Sequence, residues 1–141
     1  MFTQQLRDLE KISQAVGNSP DLVQGGGGNT SVKLDDTRMA VKASGFKLKE
    51  ITPTEGYVVV NYQNIRNYHQ NVDLSENRDF EKESSEFVRA SVIPMEGLKP
   101  LRPSVEAGFH SILLKVVIHT HPVYGNMICC SQNGRELAGK I

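Results

Sequence analysis

The sequence has no excess of either charge, with sixteen lysines and arginines against sixteen aspartates and glutamates. This removes the basic footprint by which a nucleic-acid binder or an anionic-membrane binder is recognised, so neither partner is expected. A small neutral or anionic molecule is the expected ligand. No apolar run approaches the roughly 18–20 residues that span a bilayer. The opening Met1-Phe2-Thr3-Gln4-Gln5-Leu6 lacks the basic start and apolar block of a secretory signal. A cytoplasmic location is the expectation. Cysteine is nearly absent, and Cys129 and Cys130 are adjacent, where a bridge would close only a strained ring. No disulfide framework is expected, and the pair reads as reduced thiols packed as small apolar residues rather than as metal ligands. Repeats and low-complexity tracts are missing apart from one run of glycines. At 141 residues the chain is expected to be a single domain, residues 1–141, with one substantial core.

What is present centres on Val116-Val117-Ile118-His119-Thr120-His121-Pro122. Three β-branched residues lead into two histidines at i and i+2, and strand side chains alternate, so His119 and His121 project from one face. Imidazole is the commonest ligand of a divalent transition metal, and Pro122 ends the ladder just beyond the pair. The pattern is that of two metal ligands at a strand end, or of a strand carrying two surface histidines. The flanking sequence decides between them.

Along the chain, Leu6, Leu9, Ile12, Ala15 and Val16 recur at helical spacing, with a stop at Gly17-Asn18-Ser19-Pro20. Gly25-Gly26-Gly27-Gly28-Asn29-Thr30-Ser31 then leads into a hairpin over Val32 to Val41, turning at Asp35-Asp36-Thr37. Consecutive glycines cost backbone entropy on folding, which a close approach of backbone to a ligand would explain. A short helix over Phe46 to Ile51, a strand over Tyr57 to Val60 and a polar surface excursion from Asn61 to Gly97, with a helix near Glu81 to Ser91, follow. Arg102-Pro103-Ser104 begins a helix running to Leu114. Val105, Phe109, Ile112 and Leu113 form its apolar stripe, and Glu106 and His110, four apart, can face each other. This helix meets the Val116 strand with no turn chemistry between them, an abnormally short junction.

Taken singly, the glycine loop, Ser44-Gly45 at a strand end and Pro103-Ser104-Val105-Glu106 carry little. In order, and followed by His-x-His, they form a joint pattern. From Gly25 onward the sequence resembles the class II sugar-phosphate aldolase and adducin-head superfamily, and its glycine run is nearest to the rhamnulose-phosphate aldolase-related branch. The resemblance implies a three-layer α/β/α sandwich with a mostly antiparallel central sheet. It implies Zn2+ on His119 and His121, one per subunit, with Glu106 as the acid/base. It places substrate phosphate against Asn29, Ser44, Gly45 and Ser104. The implied reaction is cleavage of a ketose 1-phosphate to dihydroxyacetone phosphate and a small aldehyde, at a site on the subunit boundary of a homotetramer. Epimerisation or dehydration of a sugar phosphate on the same fold, or a non-catalytic adducin-head-like interaction module, are the alternatives. Family members often carry a second serine where this chain has Val105. The family's third histidine lies well downstream of His-x-His, and no histidine follows His121. The stand-ins within the chain are His69, His110, Cys129, Cys130 and Glu106. The expectation is a domain incomplete at its C-terminus that binds zinc weakly or not at all.

Overall fold

The computed structural model describes residues 2–140. The first helix, α1 (Thr3–Gly17), contains the expected amphipathic stretch and buries Leu9, Ser13 and Val16. The glycine loop follows, and then β1 (Asn29–Lys33) and β2 (Arg38–Lys42) pair antiparallel. Their turn is locked by Asp35, whose carboxylate accepts from the backbone N–H groups of Thr37 and Arg38 and pairs with the Arg38 guanidinium. A single 3-10 turn at Leu48–Glu50 stands where a short helix was expected, and β3 (Tyr57–Asn61) returns along β2.

The stretch from Asn61 to Gly97 is less peripheral than its polarity predicts. It opens with a helix, α2 (Tyr62–Asn71), capped by the Asn61 side chain, which accepts from the Asn64 N–H at 3.1 Å. Tyr62 and Ile65 from this helix lie in the core. Its second helix, α3 (Phe80–Ala90), falls where the sequence placed one. The chain then forms α4 (Ala107–Ile112), β4 (Val116–His119), α5 (Val123–Cys130) and α6 (Gly134–Ala138).

The strands form one sheet in the order β3-β2-β1-β4, with every pair antiparallel. Helix α1 and the 3-10 turn cover one face, over a cluster containing Leu9, Val32, Ala40, Leu48, Ile51 and Val59. On the other face, Met39, Val41, Val58 and Val60 pack with Tyr62, Ile65, Val88 and Ala107 from α2, α3 and the start of α4. This is the expected three-layer α/β/α arrangement. Strand β1 is buried along its whole length because it has a neighbour strand on each side and helices above and below. Its two hydroxyl residues are therefore paired across layers: Thr30 Oγ1 lies 2.6 Å from Ser13 Oγ of α1, and Ser31 Oγ lies 2.8 Å from His110 Nδ1 of α4.

Three expectations are corrected. The helix drawn from Ser104 to Leu114 spans only Ala107–Ile112, and its apolar stripe faces outward, with Val105 77% and Ile112 51% exposed. The inward face is Ala107, Gly108, His110 and Ser111. Small residues win that face because α4 lies tight on α2: a Cβ at Gly108 would stand 2.9 Å from His69 Nε2. The helix-to-strand junction, residues 113–115, is of ordinary length. Finally, Cys129 and Cys130 are exposed, since α5 buries none of its residues.

Candidate functional site

The site is built where the end of β4 meets the start of β1. In the sheet register Asn29 lies opposite His119, and cross-strand partners share a face. Strand β4 ends at His119 rather than at His121, but the segment beyond stays tied down because the His121 N–H donates to the Leu22 carbonyl at 2.8 Å. The two imidazoles converge, with ring centroids 4.8 Å apart. Glu106, at the N-cap position of α4, brings Oε1 to 3.3 Å from His119 Nδ1 and 3.8 Å from His121 Nε2.

The donor set fits a divalent cation. Tetrahedral ligation at 2.0–2.1 Å places ligand atoms roughly 3.4 Å apart, and the ligand atoms of Glu106, His119 and His121 all lie within 4.8 Å of one another. His119 Nδ1 is buried and makes no hydrogen bond, although it faces the carboxylate. Glu106 is thus the residue that completes a trio. His110 is turned toward Ser31, and Cys129 and Cys130 are exposed on α5.

The glycine loop lies against this trio. Gly28 has φ +73°, and a Cβ there would sit 2.6 Å from Val23 Cγ1 and 2.9 Å from the His119 carbonyl oxygen. A Cβ at Gly27 would sit 3.0 Å from His121 Nδ1. These two glycines are required by contact with the histidine segment itself, not only by a ligand. Gly28→Ala is therefore expected to destabilise the fold by more than ~1 kcal/mol and to weaken metal binding by displacing His119. Gly26→Ala, at a position open to space, should leave both nearly unchanged. Denaturant melts and a metal titration of the two variants check this, and equal behaviour would remove the packing role.

Ser44, Gly45 and Ser104 meet on the other side of Glu106. Residues 102–104 run beside the end of β2, where the Ser44 N–H donates to the Arg102 carbonyl at 2.8 Å and Ala43 bridges Pro103. Gly45, at φ +85°, supplies the left-handed turn that follows Ser44. Ser104 Oγ reaches Glu106 Oε2 at 3.5 Å. Ser44 and Ser104 line a cavity of about 130 Å³. Asn29 does not: it is fully buried beside His119, and both of its side-chain amide atoms lack a hydrogen-bond partner.

The profile described as "Class II Aldolase and Adducin N-terminal domain" matches residues 7–139. The chain belongs to this family. Its fold is similar to the N-terminal class II aldolase domain of a conserved protein from Thermoplasma acidophilum, with a TM-score of 0.75 and 24% identity. That likeness covers 94% of this chain, which spans 62% of the other's length. Among curated proteins none matches.

Two residues add to the site of this class II aldolase/adducin domain. Lys42 is buried in β2; burial pulls its ammonium below the ordinary lysine pKa while the carboxylates of Glu106 and Glu50 oppose that pull. The sequence signal for it was a lysine between Val41 and Ala43, directly after the apolar run Met39-Ala40-Val41. His110, read as facing the Glu106 side chain, instead gives that residue only a backbone contact, its N–H donating to the Glu106 carbonyl. Burial, opposed by Glu106 and aided by His119, lowers the His110 pKa to about 4.

A folded pKa of about 4 against an unfolded value near 6.5 means that the unfolded chain binds the extra proton first. The contribution of neutral His110 is thus full above pH 6.5 and is lost as pH falls toward 4, amounting to about 3 kcal/mol. His110→Asn should flatten the pH dependence of stability in that window. An unchanged slope would assign the acid sensitivity to other groups. Among the described residues, no helix is long and apolar enough to cross a membrane.

Proposed function

We propose that this domain belongs to a zinc-dependent aldolase that cleaves a ketose 1-phosphate to dihydroxyacetone phosphate and a small aldehyde. The observation that carries the reading is the position of Glu106, 3.3 and 3.8 Å from the two imidazoles and within 3.5 Å of Ser104 Oγ. One carboxylate thereby faces a cation site and also reaches the hydroxyl of Ser104, which lines the neighbouring cavity. His119 and His121, with Glu106, would hold the zinc. Bound there, it would supply Lewis-acid stabilisation of the charge that develops on the substrate oxygens.

The chain's own residues do the rest. Ser44 and Ser104 donate to the phosphate, with Gly45 leaving its backbone open to it, while Asn29, buried opposite His119 in the sheet, stands at the metal end of the site. As the carbon–carbon bond breaks, its electron pair moves toward the carbonyl, the hydroxyl proton of the departing carbon passes to the Glu106 carboxylate, and that carbon leaves as an aldehyde. Glu106 then delivers a proton to the carbon next to the carbonyl, so that dihydroxyacetone phosphate forms with its atoms balanced. Exposed free thiols at Cys129 and Cys130 support a cytoplasmic setting. The outward apolar residues of α4 and β4, among them Ile112, Val116 and Ile118, support assembly as a homotetramer.

A coupled assay for dihydroxyacetone phosphate, run on a panel of ketose 1-phosphates with zinc-loaded protein, tests the reading, and sedimentation of the same sample reads the assembly. Metal-dependent release from at least one member, by a species larger than a monomer, is the expected result. No release from any member would remove the aldolase reading. An epimerised or dehydrated product would replace it with one of the related reactions.

A further inference from the structure

We propose that Arg89 and Arg102 supply the positive charge that binds a dianionic substrate group in the cavity beside Glu106. The inference rests on the aldolase reading only for the identity of that group as a phosphate ester. A phosphate carries nearly two negative charges near neutral pH. The groups placed around it so far are two hydroxyls and a glycine backbone, all neutral. Neutral donors alone leave such an anion poorly compensated once it leaves water.

The cavity that contains Ser44 and Ser104 is also lined by Ser85, Arg89 and Arg102, and no carboxylate lines it. Its volume of about 130 Å³ is well above the ~10–15 Å³ that one water requires. Among the described residues neither arginine takes part in an ion pair. Their charges are therefore uncommitted. Both guanidinium groups start from fixed backbone. Arg102 is held through its carbonyl by the Ser44 N–H, and Arg89 lies in the last turn of α3, one turn beyond Ser85. The guanidinium fork matches phosphate oxygens two at a time, as a lysine does not. Lys42, the nearby alternative, does not line the cavity and faces the carboxylates of Glu106 and Glu50. Arg89 also borders an outer depression with Glu81 and Glu86, so part of its charge is offset and Arg102 carries the larger share.

Titration of the full chain with inorganic phosphate, followed by amide NMR, tests this. Wild-type protein should shift the amides of Gly45 and Ser104. Arg102→Gln should weaken phosphate about tenfold, as loss of one charge-assisted contact predicts. Arg89→Gln should weaken it less, the double variant should lose it, and Arg102→Lys should fall between wild type and Arg102→Gln. Both side chains are exposed, so thermal melts should be unchanged. Wild-type affinity in the double variant, or phosphate shifts confined to other residues, would overturn the assignment. Zinc content and ketose-phosphate cleavage are read separately. Phosphate binding through the arginines without cleavage keeps this inference and removes the aldolase, whereas cleavage with an unchanged KM in the double variant does the reverse.

Discussion

His119→Ala is expected to lower zinc affinity by more than the ~10–100-fold that follows loss of an outer-shell partner, because it removes a ligand rather than a residue that orients one. The side chain is the better anchored of the two histidines: it stands on β4 in register with Asn29 and its Nδ1 lies 3.3 Å from the Glu106 carboxylate. His121, past the end of the strand and 3.8 Å from the same carboxylate, should give a smaller loss on replacement. His69→Ala is the control, since His69 packs on Gly108 and Tyr68 away from the trio. Competition with a chromophoric chelator measures the affinities. Thermal melts give a second readout, because zinc stabilises only the folded state that binds it, and the zinc-dependent rise in melting temperature should disappear in His119→Ala. Wild-type zinc affinity in that variant would place the metal elsewhere.

How far the sequence revealed this arrangement depends on the kind of signal. Alternating and helical apolar patterns located α1, the hairpin, β3 and the helix after residue 80, because each supplies apolar side chains to the core, even where polar neighbours in α1 and the hairpin are buried beside them. The same rule reversed α4. There the buried face is built from Ala107, Gly108, His110 and Ser111, held by close backbone approach and by the hydrogen bond to Ser31, and hydrophobic periodicity does not register such contacts. Helix α2 was missed for a related reason: apart from Tyr62, Ile65 and Tyr68, its residues are polar and its start is set by the Asn61 cap. The i, i+2 histidine spacing pointed to one face, and the imidazoles do converge, yet the strand stops after the first of them. The contact between residues 102–104 and the end of β2 was out of reach of any local pattern, since nothing local links Ser44 to a segment some sixty residues later, and only the family resemblance put Ser44 and Ser104 on one ligand. That contact is what brings the hydroxyl pair beside Glu106.

Glu106→Gln is expected to reduce kcat by about 10²–10⁴, the usual contribution of a positioned acid/base, with much less change in KM. The amide keeps the shape of the side chain and its N-cap position but cannot carry a proton between substrate atoms. Phosphate binding rests on residues around the cavity rather than on this carboxylate, so ground-state affinity should largely persist. Removal of one charge from the trio will also weaken zinc, and the comparison therefore belongs at saturating metal, with bound zinc measured in the same samples. A side effect distinguishes loss of the proton carrier from loss of the fold: Lys42 and His110 both feel the Glu106 charge, which raises the pKa of each, so both pKa values should drop further in the variant while far-ultraviolet circular dichroism stays as in wild type. Wild-type kcat at full zinc occupancy would show that another group moves the proton. Lys42, already buried within the field of Glu106, would then be the first residue to replace.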